Sequence, residues 1–336
     1  MKALFIGGTG TISTAVGALA LRRGWDITLL NRGSKPLPEG MSGLRADIRD
    51  EAEVEKIIAN ERYDVVADFI AFTLEDVERD IRLFRGRTKQ YIFISSASAY
   101  QKPAADSRIT ESTPLANPHW QYSRDKIACE EALMAAYRQS GFPITIVRPS
   151  HTYDGTRPPV CLHGKGGSWQ VMKRILEGKP VIIPGDGSSL WTLTHSTDFA
   201  KGFVGLMGNP RAIGHPFHIT SDECLTWNQI YETIADEMGK PLHALHVASD
   251  FLARHGGEYD FRGELLGDKS VTVLFDNTKV KRLVPDFVCT VAMADGLRQA
   301  TRHILAHPEL QVEDTAFDRW CDRVVEAMAA ADRAIG

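Results

Sequence analysis

The eleven residues from Leu4 to Thr14, "LFIGGTGTIST", constrain this chain more than any other segment. A short apolar run passes directly into a glycine-rich turn, and a helical pattern follows. Gly7 and Gly10 permit a tight turn and the close approach of a diphosphate to backbone N–H groups, and the N-terminus of the following helix adds a favourable dipole. The third small position is Ser13, which packs near the strand less closely than glycine would. Strand, turn and helix in that order predict a dinucleotide-binding site at the start of an α/β domain.

The rest of the first half repeats the alternation. Strands are predicted at "KALFI", "DITLL", "YDVVADF", "QYIFIS" and "PITIVRPS", with helices over 11–23, 51–60, 74–85 and 121–140 between them. Apolar, β-branched strands alternating with helices mark a parallel sheet covered on both faces, and this order fits a doubly wound α/β (Rossmann) fold. After Pro149 the texture changes. Residues 151–195 hold many Gly, Pro, His and Trp and few periodic runs. Beyond them come helices 196–208, 226–238, 248–255 and 277–283, and long helices near 290–307 and 313–332. Strands alternate with them at "PFHIT", "LHALHV" and "VTVLF". The expected division is a Rossmann domain over 1–150 and a smaller, mixed substrate-binding lobe over 151–336, with segments near 181–210 returning to the first domain. Ligands of open α/β sheets bind at the carboxyl ends of the strands.

Composition removes several classes. A formal net charge of -4 provides no basic field for a phosphate backbone, so no nucleic-acid partner is expected. Five scattered cysteines without a CxxC pair argue against a disulfide framework or a zinc site, and the histidines have no metal-ligand spacing; a cytoplasmic protein without a metal is expected. The opening residues read as a strand, not a signal peptide, and no apolar run approaches the roughly 20 residues needed to span a bilayer.

Hydroxyls cluster at the end of the fourth predicted strand, at Ser95, Ser96 and Ser98. Tyr122 and Lys126 follow at positions i and i+4, on one face of a helix. A free phenol, with a pKa near 10, is a poor base at neutral pH. A nearby ammonium and a positive nicotinamide favour the phenolate. Tyr122 is then the candidate base for a secondary alcohol, Lys126 its electrostatic partner and Ser96 the group that orients the substrate oxygen. Taken alone, a Tyr–Lys pair is a common surface contact; the order of glycine turn, hydroxyl strand end and pair gives it chemical meaning. At the ribose end, "LLNRGSK" offers Asn31, Arg32 and Lys35 where a carboxylate would accept a 2′-hydroxyl, which tilts NAD(P) selection towards NADP(H). Asp47 is placed to bond the adenine amino group or to cap helix 51–60.

With these residues in view, the chain resembles the extended short-chain dehydrogenase/reductase family, the nucleotide-sugar epimerase/dehydratase-like group. The matching stretches are "GGTGTIS", "FISSASAY", "YSRDK", "VRPSHTYDG", "GDGSSLWTLTHSTDFAKGFV", "PFHITSDECLTWNQIYETIADEMGK" and "FDNTKVKRLVPDF". The resemblance implies Ser96, Tyr122 and Lys126 as catalytic residues, Gly7, Gly10 and Ile12 at the cofactor diphosphate and Asp47 with Ile48 at the adenine. Thr9, Thr11, Asn31, Arg32, Ala71, Ser95, Pro149 and His151 complete the candidate cofactor contacts. Ser96, Ala97, Ser98, His151 and Trp191 are the candidate substrate residues. His195 matches a family histidine expected to be structural.

Departures from the family pattern refine the expectation. Ser96 is followed by Ala97, Ser98 and Ala99 where dehydratases of this group carry an Asp–Glu pair, which disfavours a sugar 4,6-dehydratase. His151 stands in place of a family asparagine and Trp191 in place of an arginine, which weakens the case for a nucleotide diphosphate sugar. Trp191 either stacks on a sugar face or fills core. The leading expectation is an NAD(P)-dependent oxidoreductase or epimerase acting on a secondary hydroxyl or keto group of a sugar-like small molecule, as a homodimer through helices 74–85 and 121–140. The alternatives are a nucleotide-sugar epimerase/dehydratase proper and an RNA-binding member resembling the chloroplast stem-loop-binding proteins.

Overall fold

A computed structural model describes residues 1–106 and 108–336. The chain divides into two compact units. Met1–Thr152, Ser196–Asp222 and Phe275–Thr290 form the first, and Tyr153–His195, Glu223–Leu274 and Val291–Gly336 the second.

The first unit is built on a seven-stranded parallel sheet. Its strands are β1 (Lys2–Ile6), β2 (Asp26–Asn31), β3 (Ser42–Arg45), β4 (Val65–Asp68), β5 (Tyr91–Ile94), β6 (Ile144–Pro149) and β7 (His215–Ile219). They lie in the order β7-β6-β5-β4-β1-β2-β3. Helices α1 (Thr11–Arg22), α2 (Glu51–Ile58), α3 (Leu74–Phe84), α4 (Gln121–Ser140) and α5 (Ser196–Leu206) connect or follow the strands. The central strands are apolar throughout because both faces are covered. Ala3 and Phe5 of β1, Val65 and Ala67 of β4 and Ile92 and Ile94 of β5 point to one core with α1 and α5. Leu4, Ile6, Val66, Tyr91 and Phe93 alternate to a second core with α2, α3 and α4. Each fully buried Phe or Leu side chain contributes about 1.5–3 kcal/mol relative to an exposed one. Strand order reverses beside β1, and in the ladder Ile6 is level with Asp68 and Asp68 with Phe93. The carboxyl ends of β1, β4 and β5 therefore share one edge, where a ligand crevice belongs.

In the second unit, Val181–Pro184 pairs in parallel with Ala244–Val247. The long helix Thr315–Ile335 is capped by Asp314, which accepts from the Phe317 N–H. The helix Trp169–Leu176 brings the buried Arg174 to Asp318 (2.6 Å) and Asp322 (2.8 Å). Thr226 and Gln229 form a reciprocal cap for the helix Trp227–Glu237.

Several expectations shift. β3 lies within what reads as a loop, because "SGLR" is short, mostly exposed and at the sheet edge. The stretch 151–195 contains the unpredicted helix Trp169–Leu176 and strand Val181–Pro184. Only Leu274–Phe275 of "VTVLF" is strand, and Arg262–Lys269 forms a π-helix that no sequence period announces. The chain returns to the first unit at Ser196, not near 181, and Phe275–Thr290 returns as well. The late helices run Met293–Ala306 and Thr315–Ile335.

Candidate active site

The glycine turn has the geometry that its sequence implies. Gly7 and Gly8 adopt φ of 95° and 102°, a region that L side chains rarely enter. A Cβ on Gly7 would lie 3.0 Å from Ile70, and one on Gly8 would lie 2.6 Å from Leu29. Sequence reasoning passed over Gly8; its requirement comes from β2, which only the fold brings close. Gly10 caps α1, and its N–H donates to Ser13 Oγ at 2.9 Å, so Ser13 acts as a capping residue. Thr11 and Ile12 open the helix at the crevice edge.

A cavity of about 430 Å³ continues from this turn, lined by Gly7, Thr9, Asn31, Arg32, Asp47 and Ile48 among others. Asn31 Oδ1 accepts the Gly33 N–H at 2.9 Å, which shapes the turn that presents the exposed Arg32. Asp47 is clasped by Arg49 through Nε (3.1 Å), Nη2 (2.7 Å) and the backbone N–H (3.0 Å). These bonds hold its carboxyl well below the ordinary value, with Arg32 adding a smaller pull. The cap of α2 is Asp50, which accepts from the Glu53 N–H at 3.0 Å, and not Asp47.

Ser96, Tyr122 and Lys126 converge beyond β5. Ser96 caps a single 3-10 turn over Ala97–Ala99, accepting from the Ser98 N–H at 3.1 Å, and its Oγ lies 2.9 Å from Ser98 Oγ. Tyr122 sits in the first turn of α4, whose entry is fixed by Asn117 Oδ1 accepting the N–H groups of His119 and Trp120, both at 3.1 Å. One turn on, the buried Lys126 donates from Nζ to the carbonyls of Ala71 (2.6 Å) and Ile94 (2.8 Å). The ammonium lies 5.8 Å from the Tyr122 ring centroid. Burial lowers the Lys126 ammonium to about 8. Burial also pushes the Tyr122 hydroxyl above the ordinary phenol value, with the Ser96 hydrogen bond pulling the other way. The lowering expected from Lys126 is not seen: burial sets the direction.

Comparison with known proteins is consistent with this geometry. The model of the NAD dependent epimerase/dehydratase family matches residues 3–220. The chain belongs to that family. It is 27% identical over 292 residues to a 2'-dehydrokanamycin reductase of Streptomyces kanamyceticus, spanning 85% of this chain and 80% of that protein. It is 25% identical to a chloroplast stem-loop binding protein of Arabidopsis thaliana, over 71% of this chain and 64% of the relative. In fold it is similar to the UDP-glucuronic acid 4-epimerase of Bacillus cereus solved with NAD, with a TM-score of 0.71, 19% identity and coverage of 93% and 100%.

Other predicted site residues of this epimerase/dehydratase-family chain have different surroundings. Ser95 is buried and donates to Glu130 at 2.5 Å, so its hydroxyl is committed away from the crevice. Ser98 is buried too. Its Oγ accepts from Ser123 Oγ at 2.7 Å and its carbonyl from Asn117 Nδ2 at 2.9 Å, which ties the start of α4 to the strand end. Ala97 is buried at 4% exposure. Ala71 contributes the carbonyl that holds Lys126, Pro149 ends β6 and His151 is half-buried two residues on. Trp191 is 3% exposed and stacks on Trp227 at 5.3 Å, so it fills the core of the second unit. Among the described residues, no three His, Cys, Asp or Glu side chains are placed to hold a metal, and no helix is long and apolar enough to cross a membrane.

One group was missed altogether. Asp68, at the end of β4, is 1% exposed and accepts the N–H groups of Ile70 (2.6 Å) and Ala71 (2.8 Å). It thereby shapes the turn whose Ala71 carbonyl receives Lys126. Arg79 lies 3.8 Å away and pairs mainly with Asp76 and Asp80. Burial, followed by the negative charge of Asp80, pushes the Asp68 carboxyl well above its ordinary value. Folding then favours the protonated acid. The resulting stability is complete below the ordinary value of 3.8 and is lost as pH rises towards the folded value. Asp68→Asn keeps the acceptor oxygen and removes the titration. Its stability relative to wild type is expected to improve between pH 5 and pH 8 in urea denaturation. A difference that does not change with pH contradicts the protonated Asp68.

Proposed function

We propose that this chain is an NAD(P)-dependent oxidoreductase, or an epimerase using the same centre, that acts on a secondary hydroxyl or keto group of a sugar or sugar derivative. The observation that carries the reading is the convergence of Ser96, Tyr122 and Lys126 at the carboxyl ends of β4 and β5, on the same edge of the sheet as the glycine turn. That turn fits a dinucleotide, because Gly7 and Gly8 take positive φ and carry no side chain to keep a diphosphate from the backbone. A bound nicotinamide supplies the hydride acceptor or donor. Tyr122 takes the hydroxyl proton in the oxidative direction and returns it in the reductive one. Ser96 hydrogen-bonds the reacting oxygen and holds Tyr122 towards it. Lys126, pinned by two carbonyls, keeps a positive charge near the phenol, which favours the phenolate. Ala97, Ser98 and Ala99 follow Ser96 in place of an acidic pair, which speaks against 4,6-dehydration. The reductase among the relatives supports net oxidation or reduction of a keto sugar derivative. The homodimer through α3 and α4 belongs to this reading.

The test is a cofactor-reduction and cofactor-oxidation screen over sugars, sugar acids, aminoglycosides and nucleotide sugars. Turnover of none of these classes rejects the reading.

NADP(H) is proposed over NAD(H), because Arg32 borders the cavity beside Asn31 and no carboxylate occupies the end of β2. A charged hydrogen bond to a 2′-phosphate is worth about 1.5–3 kcal/mol. Arg32→Ala is expected to lower the ratio of NADP+ to NAD+ affinity by roughly tenfold or more. An unchanged ratio in paired titrations removes the argument.

A further inference from the structure

We propose that Asp68 and Asp76 are positioning residues for the reaction: they clamp the backbone on both sides of Ala71 and so keep its carbonyl aimed at the Lys126 ammonium. The inference rests on the proposed roles of Tyr122 and Lys126 and adds two residues to that centre.

The two carbonyls that receive Lys126 Nζ are held in different ways. Ile94 belongs to β5, and the sheet fixes its carbonyl. Ala71 lies in the loop between β4 and α3. Side-chain packing does not hold that loop, because Ile70 and Phe72 on either side of Ala71 are 42% and 48% exposed. Two carboxylates hold it instead. Asp68 Oδ1 accepts the N–H groups of Ile70 (2.6 Å) and Ala71 (2.8 Å), and Asp76 Oδ2 accepts those of Phe72 (2.9 Å) and Thr73 (3.1 Å).

The geometry of the peptide unit gives these bonds their consequence. The peptide joining Ala71 to Phe72 is planar, with its carbonyl and its N–H on opposite sides. Its N–H is anchored to Asp76, so its carbonyl is directed towards Lys126. The preceding peptide is anchored through the Ala71 N–H to Asp68. Arg79 ties the two acids together, with Nη1 2.9 Å from Asp76 Oδ1 and Nη2 3.8 Å from Asp68 Oδ2. Arg79 is fixed in turn by Asp80, which also accepts from the Tyr91 hydroxyl.

Burial lowers the Lys126 ammonium, and each carbonyl that accepts from it favours the charged form and opposes that lowering. The charged and titratable groups around Lys126 are Asp68, Asp76, Glu130, Cys129 and Tyr122, while Asp80 and Arg79 face Asp68. Releasing the Ala71 carbonyl would let Lys126 lose its proton at lower pH, and the Tyr122 phenolate would then lose the positive charge that favours it.

The test titrates Lys126 by 15N-lysine NMR on the full chain, comparing alanine with asparagine at each acid. Both substitutions remove the carboxylate charge, but only alanine removes the acceptor oxygen. The wild-type midpoint should lie at about 8. Asp68→Ala and Asp76→Ala are each expected to titrate Lys126 lower than the matching Asp68→Asn and Asp76→Asn, by roughly half a pH unit or more. On a substrate from the cofactor screen, each alanine variant should lower kcat about tenfold, the order that one hydrogen bond to a charged group contributes, with little change in KM. Asparagine should recover most of that loss. A role in stability alone would reduce the folded fraction without moving the Lys126 midpoint. Equal midpoints for alanine and asparagine, or alanine variants with wild-type kcat, overturn the proposal. Should Asp68→Ala fail to fold, the comparison at the less buried Asp76 decides. Failure of the underlying reading looks different: Tyr122→Phe would keep its turnover while the Lys126 midpoint still depends on the two acids.

Discussion

Tyr122→Phe is expected to lower kcat by about 10²–10⁴-fold, the range that one positioned acid or base contributes, with cofactor affinity close to wild type. The phenol oxygen is the atom the chemistry needs, and the ring is what the packing needs. Phenylalanine keeps the contacts with Trp120 and Phe72 and loses only the hydroxyl. Lys126 should not move, because its ammonium is held by the Ala71 and Ile94 carbonyls and not by the phenol. The effect should therefore be confined to the chemical step. Steady-state kinetics on the best substrate from the screen, with a parallel cofactor titration, separates the outcomes. A variant that keeps most of its kcat removes Tyr122 from the chemistry. One that loses cofactor binding as well points to a structural role for the hydroxyl.

The Rossmann sheet was legible because its signals are local. Five buried strands, a glycine turn between β1 and α1, and Tyr122 followed one turn later by Lys126 are each readable within a few residues. The family resemblance rests on the same short stretches. What escaped depends on partners distant in sequence. Gly8 is constrained by Leu29 of β2, Asp68 draws its shifted acidity from the fold that buries it beside Arg79 and Asp80, and Ser95 is committed to Glu130, 35 positions along the chain. Trp191 could be read equally as a stacking residue or as core, and Trp227 decided between them. The roles of Ser98 and Asn117 in seating α4 likewise appear only once the 3-10 turn after β5 is in place. β3 and the π-helix Arg262–Lys269 carry no distinguishing periodicity, so no pattern could have announced them.

The largest effect on stability should come from behind the site, at Glu130 and Arg148. Arg148 binds Glu130 through Nε (2.8 Å) and Nη2 (2.5 Å), and the two side chains are 4% and 3% exposed. The guanidinium also lies 4.8 Å from the Tyr100 ring centroid, and Ser95 donates to the same carboxylate. Two ions taken out of water and bonded in this way contribute little net stability as a pair, but either one left alone is a buried, uncompensated charge. Glu130→Ala and Arg148→Ala should each lower the unfolding free energy by about 3–5 kcal/mol, a large share of the roughly 5–15 kcal/mol typical of a folded protein. Replacing both residues by methionine should restore most of that loss, because no charge is then stranded. Urea denaturation of the single and double variants measures the coupling directly. Losses that simply add would show that the two groups act independently. The position of the pair also predicts a functional consequence. Glu130 lies one turn beyond Lys126 on α4, and Ser95 precedes Ser96 at the end of β5, so Glu130, held by Arg148 and bonded by Ser95, joins the two elements that carry the proposed catalytic groups. The double-methionine variant, folded but without the Ser95 bond, should therefore have reduced kcat even where its stability is recovered.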